Sequence, residues 1–270
     1  MLRDFRIILP TEHGSWSLML TPFVIGVGVA GVVGDGVSAP GIALGLIATL
    51  ALFLARQPLN LWIRTRRGKA RRSDEAPARA WSLLLIAVAA GAGGGLLALG
   101  RWAILWLAIP AVASLAIILV MGAALGPRQL LTELVGVVGL ALAAPAGYVA
   151  AVGTLDADAW LVWGVSAVHN VISVLYVRLR IDQKHERESR PQAVAVVAAH
   201  AVSLGILIGG ALAGWLPALV AIPVAALLGR ALYAAWRKPP LSNVKRFGFT
   251  EMGLALVFAL VVVLAFLLAR

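Results

Sequence analysis

Apolar runs long enough to cross a bilayer recur along almost the whole chain, and that recurrence decides the fold class before any motif is considered. A helix rises about 1.5 Å per residue, so roughly 20 apolar residues span the hydrocarbon layer. No water reaches an open backbone there, so a spanning segment is either a helix or a strand of a closed barrel. Barrel strands would alternate in polarity, and these runs do not. Hydrophobic residues make up 61% of the chain and charged residues 13%, against about 25% charged in a soluble domain. The chain therefore reads as an all-α polytopic membrane protein. Nine spans are expected, at about 16–34, 41–63, 81–99, 102–125, 130–152, 159–181, 192–213, 215–236 and 249–269. They form a single transmembrane domain over 1–270, with 64–80 as a basic cytoplasmic loop.

A net charge of +11 would suggest nucleic acid for a soluble protein. Here its placement speaks of orientation instead. Of the 23 Lys and Arg residues, all but Arg101 and Arg270 fall on one side of the alternating spans. Basic residues are retained on the cytoplasmic side, so the N-terminus is expected inside, the C-terminus outside, and no nucleic-acid partner is implied. Cysteine is absent, which excludes disulfides and thiolate metal sites. The first apolar run lacks the short core and small-residue cleavage site of a leader, and reads as a retained span.

Polar side chains inside the runs need a reason. Arg56, Asn60 and Arg64 are spaced to stack along one face at the end of span two. Glu12 and His13 open span one in the stretch Pro10-Thr11-Glu12-His13-Gly14-Ser15-Trp16. Arg128 and Glu133 flank the start of span five. Span six carries His169, Ser173, Tyr176 and Arg180 as a continuous polar stripe, with Arg178 beside it and Asp182 and Glu186 at its end. Arg230, Tyr233 and Arg237 line one face of span eight, and Thr250 and Glu251 look like a helix start. His200 has only Ser203 nearby and reads as structural. Glycines in spans two, three and seven (Gly41, Gly45, Gly91 to Gly95, Gly205, Gly209) suggest close helix packing. Pro22, Pro58, Pro110, Pro145, Pro217 and Pro223 should kink or break their helices. All the polar sites lie towards the cytoplasmic half. Guanidinium groups bind phosphate oxygens bidentately, so such a mouth suits an amphiphile with an anionic head.

The entry Pro10-x-Glu12-His13-Gly14-x-Trp16, followed by Pro22 and Gly26, resembles the start of the bacterial YwiC-like family. Arg128-x-x-x-x-Glu133 and Phe247-Gly248-x-x-Glu251 resemble it too. The resemblance implies a multi-pass protein of the bacterial cytoplasmic membrane. More distantly, the chain resembles the UbiA superfamily of intramembrane prenyltransferases, which have nine helices and acidic motifs after helices two and six. Pro127-Arg128-Gln129 before Gly136, Gly139 and Gly147 is similar to that superfamily's basic element and glycine-rich helix. At the first acidic location, where Mg²⁺ would hold a prenyl diphosphate, this chain has Arg56, Asn60 and Arg64. At the second it keeps Asp182 and Glu186 but adds Arg178 and Arg180. A hard cation wants several oxygen ligands, so either direct Arg contacts to phosphate replace the metal bridge or the fold has lost catalysis.

Together these features point to a divergent UbiA-like protein that binds or transfers an isoprenoid or other anionic lipid. His13, His169 and Tyr176 are the candidate catalytic groups. Arg56, Asn60, Arg64, Arg128, Arg178 and Arg180 are the candidate ligand-binding groups. The polar set Glu12, Glu133, Asp182, Glu186 and Glu251 surrounds them. The alternatives are a non-catalytic membrane subunit or assembly factor that recruits a partner through its basic loops, or a small-anion transporter. A transporter would need polar groups through the outer halves of the helices, which offer almost none. The first reading requires the stripes on spans two and six to share one hollow.

Overall fold

Residues 7–9, 14–34, 36–124 and 129–270 are described by a computed structural model, and among them the chain is helical with no strand. The helices are α1 Gly14–Val33, α2 Ala39–Arg66, α3 Glu75–Ala98, α4 Ile104–Ala124, α5 Leu130–Leu140, α6 Ala143–Val152, α7 Ala157–Lys184, α8 Arg190–Leu212, α9 Ala221–Arg237 and α10 Val244–Leu268. Among the described residues nine segments are long and apolar enough to span a membrane, with α5 and α6 together making the fifth.

Local chemistry sets the boundaries. Ser38, Asp156, Ser189 and Asn243 each accept a hydrogen bond from the third residue onward and so cap α2, α7, α8 and α10. The Asn243 cap starts α10 at Val244, before the charged residues Lys245 and Arg246 expected to lie outside it. Pro22, Pro58 and Pro110 lie inside continuous helices, so the expected breaks do not occur there. Pro145 does break span five. It has no N–H for the carbonyl of Ala141, and Ala144 N takes that carbonyl at 2.9 Å in a tighter turn.

α1 lies at the centre, packed on α6, α7 and α10. Glycine allows the closest contacts. A Cβ on Gly26 would collide with the backbone carbonyl of Ala144, and one on Gly147 would come within 2.6 Å of Phe23 O. Gly41 and Gly45 bring α2 comparably close to Ala150 of α6, which anchors the end of span two opposite the basic loops. The other expected small-residue contacts differ. Gly91, Gly93, Gly94, Gly205 and Gly209 have nothing within 4 Å of a built Cβ, and only Gly95 of that set meets a side chain, that of Leu44. Those glycines sit on faces that no neighbouring helix covers.

The buried core runs through Ile25, Val29, Tyr148, Val162, Val165 and Phe258. Around the perimeter large apolar side chains remain exposed, among them Trp106, Ile109 and Leu212. In a bundle of this length and composition that surface faces lipid. At the end opposite the basic loops Tyr148 Oη donates to Asp156 Oδ2 at 2.9 Å, tying α6 to the cap of α7.

These contacts make a direct prediction. Gly26→Ala should lower the thermal unfolding midpoint in detergent by several degrees, because Ala144 is backbone and cannot turn aside. Gly91→Ala should leave stability within about 0.5 kcal/mol, as expected of an uncovered surface position. Equal effects from the two would remove the α1–α6 contact as a determinant of the fold.

Candidate functional site at the basic end of the bundle

Span six faces two ways. Arg178 and Arg180 are two residues apart, hence about 200° apart around a helix of 3.6 residues per turn. Arg178 Nη1 donates to Glu133 Oε2 of α5 at 3.1 Å, and both side chains are about one-third exposed, at 37% and 34%. Arg180 is buried on the other side, donating to Gln183 Oε1 and to the carbonyl of Pro239, each at 2.7 Å. Gln183 Nε2 in turn donates to Ala234 O at 3.0 Å. Arg180 therefore fastens the end of α7 to the end of α9.

Tyr176 lies on the Arg180 side. The guanidinium of Arg230 sits 3.9 Å from its ring centre and forms a bidentate pair with Glu251 at 2.7 and 3.0 Å. His200 meets Tyr176 edge-on at 6.5 Å, while its own Nδ1 lies 2.8 Å from Val196 O. His200 is thus satisfied within its own helix, as its sequence context suggested. This cluster welds spans six, seven, eight and nine. The pair is partly buried, its side chains 23% and 14% exposed, so removing one partner leaves the other charge poorly solvated, although a well-packed apolar replacement of both can be neutral. Glu251, read from sequence as part of a helix start, is the counter-ion of Arg230.

Deeper along α7, His169 stacks on Phe258 of α10 with centroids 4.0 Å apart. Beside it Asn170 is fully buried and donates twice, to Leu18 O at 2.9 Å and to Val137 O at 3.1 Å. Leu18 is four residues before Pro22, so its carbonyl is the one that Pro22 deprives of a helical donor. The side-chain amide of Asn170 supplies it. Sequence reasoning singled out His169 and missed Asn170. The available signal was Pro22 inside a central helix, which requires a donor from elsewhere. Ser166 Oγ, His169 Nδ1 and Asn170 Oδ1 are buried with no hydrogen-bond partner, and buried polar atoms ordinarily have one from protein, water or ligand.

At the basic end α1, α2, α4, α5 and α7 close a ring. α7 packs on α1 and α5, α5 on α4, and α2 touches α4 and α1. α2 is held mainly by α3 and, at its N-terminal end, by α6. Phe53 of α2 meets Trp16 of α1 edge-on at 5.2 Å and joins an apolar cluster with Met19, Phe23 and Ala143. Arg56, half-buried one turn further on, places its guanidinium 5.8 Å from the Phe53 ring. Asn60 is half-buried another turn along, 3.9 Å from a Cβ built on Gly122 of α4, without a hydrogen-bond partner among the described residues. Arg64 is exposed. Glu12, His13 and Arg128 lie outside the described residues.

The expected polar residues are therefore divided between two sets of helices. Arg56, Asn60, Glu133 and Arg178 belong to the ring, whereas Tyr176, Arg180 and Glu251 belong to the seam with α9 and α10. His169, stacked on Phe258, is also on the α10 side. Asp182 accepts from Gln192 Nε2 at 2.7 Å, and Glu186 is exposed at a positive φ of 55°. No group of three or more His, Asp or Glu among the described residues could hold a metal ion. A Mg²⁺ bridge at Asp182 and Glu186 is thus not supported by the donors placed around them.

The sequence model of one family, described as YwiC-like protein, matches residues 9–148 of the 270. That stretch holds spans one to four and most of span five, including Arg56, Asn60 and Glu133. No curated protein matches the chain.

The Asn170 clamp can be tested by a double-mutant cycle. Asn170→Leu should cost about 1–3 kcal/mol, the usual penalty of stranded buried polar groups. Pro22→Ala restores a backbone donor to Leu18 O, so it should recover part of that loss when combined with Asn170→Leu. Strictly additive effects in denaturant unfolding would show that the two residues do not share that carbonyl.

Proposed function

The chain belongs to the YwiC-like family, and we propose that this multi-pass membrane protein binds an isoprenoid or other anionic lipid in the ring formed by α1, α2, α4, α5 and α7 at its cytoplasmic end. The observation that carries the reading is the layering of that ring. The apolar floor is the packed cluster of Met19, Phe23, Phe53 and Ala143 with Trp16, Leu50 and Leu54 only partly buried against it, and Arg56 and Asn60 follow on the next turns of α2, with Arg178 on α7. An apolar tail suits the floor, and a phosphate suits the rim. His13 and Arg128 directly precede α1 and α5 in sequence, so both belong among the groups to be tested at that rim.

Glu133 has a defined part in this scheme. It holds the Arg178 guanidinium at 3.1 Å, so an arriving anionic headgroup competes with it for the same cation. The pair is partly exposed, where such ion pairs contribute little, about 0–1 kcal/mol. Exchange of Glu133 for a phosphate is therefore inexpensive. His169 and the Tyr176–Arg230–Glu251 cluster act in the reading as walls. They keep α7 straight and present Arg178 to the ring.

Extraction of lipid from protein purified in mild detergent, followed by mass spectrometry, tests the proposal. A polyprenyl phosphate or quinone-like species should be enriched over its share of the membrane, and Arg178→Gln or Asn60→Leu should deplete it while the protein stays folded. Bulk phospholipid in membrane proportions from the wild-type protein would overturn the reading.

A further inference from the structure

We infer that a second, separate lipid site lies on the outer surface between α8 and α9, and that its occupant is one anionic glycerophospholipid of the surrounding leaflet. A groove of about 410 Å³ runs there, lined by Arg190, Val194, Val197, Ala198, Leu232 and Trp236 among others. Val194, Leu232 and Trp236 are 62%, 50% and 83% exposed, so the groove opens away from the bundle and not into it. Small side chains create it. Ala193 and Ala235 pack inward with Leu179 and Val196, leaving a trough between the flanking larger residues.

The occupant follows from the charge at one end. Arg190, at the start of α8, is exposed and has no ion-pair partner among the described residues. Arg237 lies over the ring of Trp236 at 5.5 Å and is likewise exposed. The nearest carboxylate in sequence to Arg190, that of Glu188, is already held by Lys238 Nζ at 3.1 Å. Asp182 is held by Gln192. Across 182–190 and 237–238 the five basic residues Lys184, Arg187, Arg190, Arg237 and Lys238 outnumber Asp182, Glu186 and Glu188. An apolar trough that ends in uncompensated guanidinium groups beside a tryptophan matches an acyl chain, a phosphate and the headgroup level in that order. Arg190 is placed to take the phosphate, Arg237 adds charge, and Trp236 marks the interface. The site shares no helix with the ring of α1, α2, α4, α5 and α7, and does not rest on that reading.

Native mass spectrometry of the delipidated full chain, titrated with phosphatidylglycerol or phosphatidylcholine, tests the inference. Phosphatidylglycerol should bind more tightly, by about fivefold for each guanidinium engaged. Arg190→Gln with Arg237→Gln should bring it down to the phosphatidylcholine level. Ala198→Trp, an exposed position in the trough, should weaken both lipids without disturbing the core. Arg178→Gln should leave this preference intact, which separates it from the ring. Equal binding of the two lipids by the wild-type protein would overturn the inference. So would a phosphatidylglycerol preference that survives the double variant.

Discussion

Hydrocarbon supplies no water to a backbone carbonyl, and every proline inside a span strands one. The bundle meets that constraint at its centre by lending a side chain. Pro22 lets α1 lie within a continuous helix yet leaves Leu18 O without its donor, and Asn170 of α7 provides one. The same amide reaches Val137 O of α5, so three spans are joined at one buried residue. Pro145 is handled differently, by shortening the turn at Ala141 and splitting span five. The second half of that span then turns to meet Gly26 and Gly41 at backbone distance. Central helices are thus fixed by polar satisfaction at one level and by glycine contact at another.

With its centre fixed, α7 divides the polar residues of the basic end. One side, with Tyr176 and Arg180, is closed by Arg230, Glu251, Gln183 and the carbonyl of Pro239. Arg180 and Gln183 tie span six to the end of span eight, and the Arg230–Glu251 pair ties span eight to span nine. The other side, with Arg178, faces α5 and stays partly exposed. A guanidinium buried in a bidentate pair specifies packing, whereas one at a partly exposed rim remains able to change partners. The two arginines differ by two positions in sequence and by their whole environment.

Fold class was legible because apolar length and the absence of alternation are properties of the chain itself, and the nine spans follow within a few residues. The polar residues were legible as anomalies but not as partners. A stripe on α7 says that something polar faces it; only the position of α9 and α10 reveals that Arg230 and Glu251 do so. Asn170 escaped notice because its role is to answer a proline 148 positions earlier. The glycines of spans three and seven misled for a related reason: a small residue permits close packing but does not bring a neighbour.

On this account the Arg178 side of span six opens at the basic end of the bundle while the Arg180 side is sealed. The chain contains no cysteine, so single-cysteine labelling with a membrane-impermeant maleimide reads this directly. Asn60→Cys and Arg178→Cys should react from the face that carries the basic loops, and Ala231→Cys, fully buried in the seam, should react only after unfolding. Protection at Asn60 and Arg178, or labelling at Ala231 in the folded protein, would contradict the account.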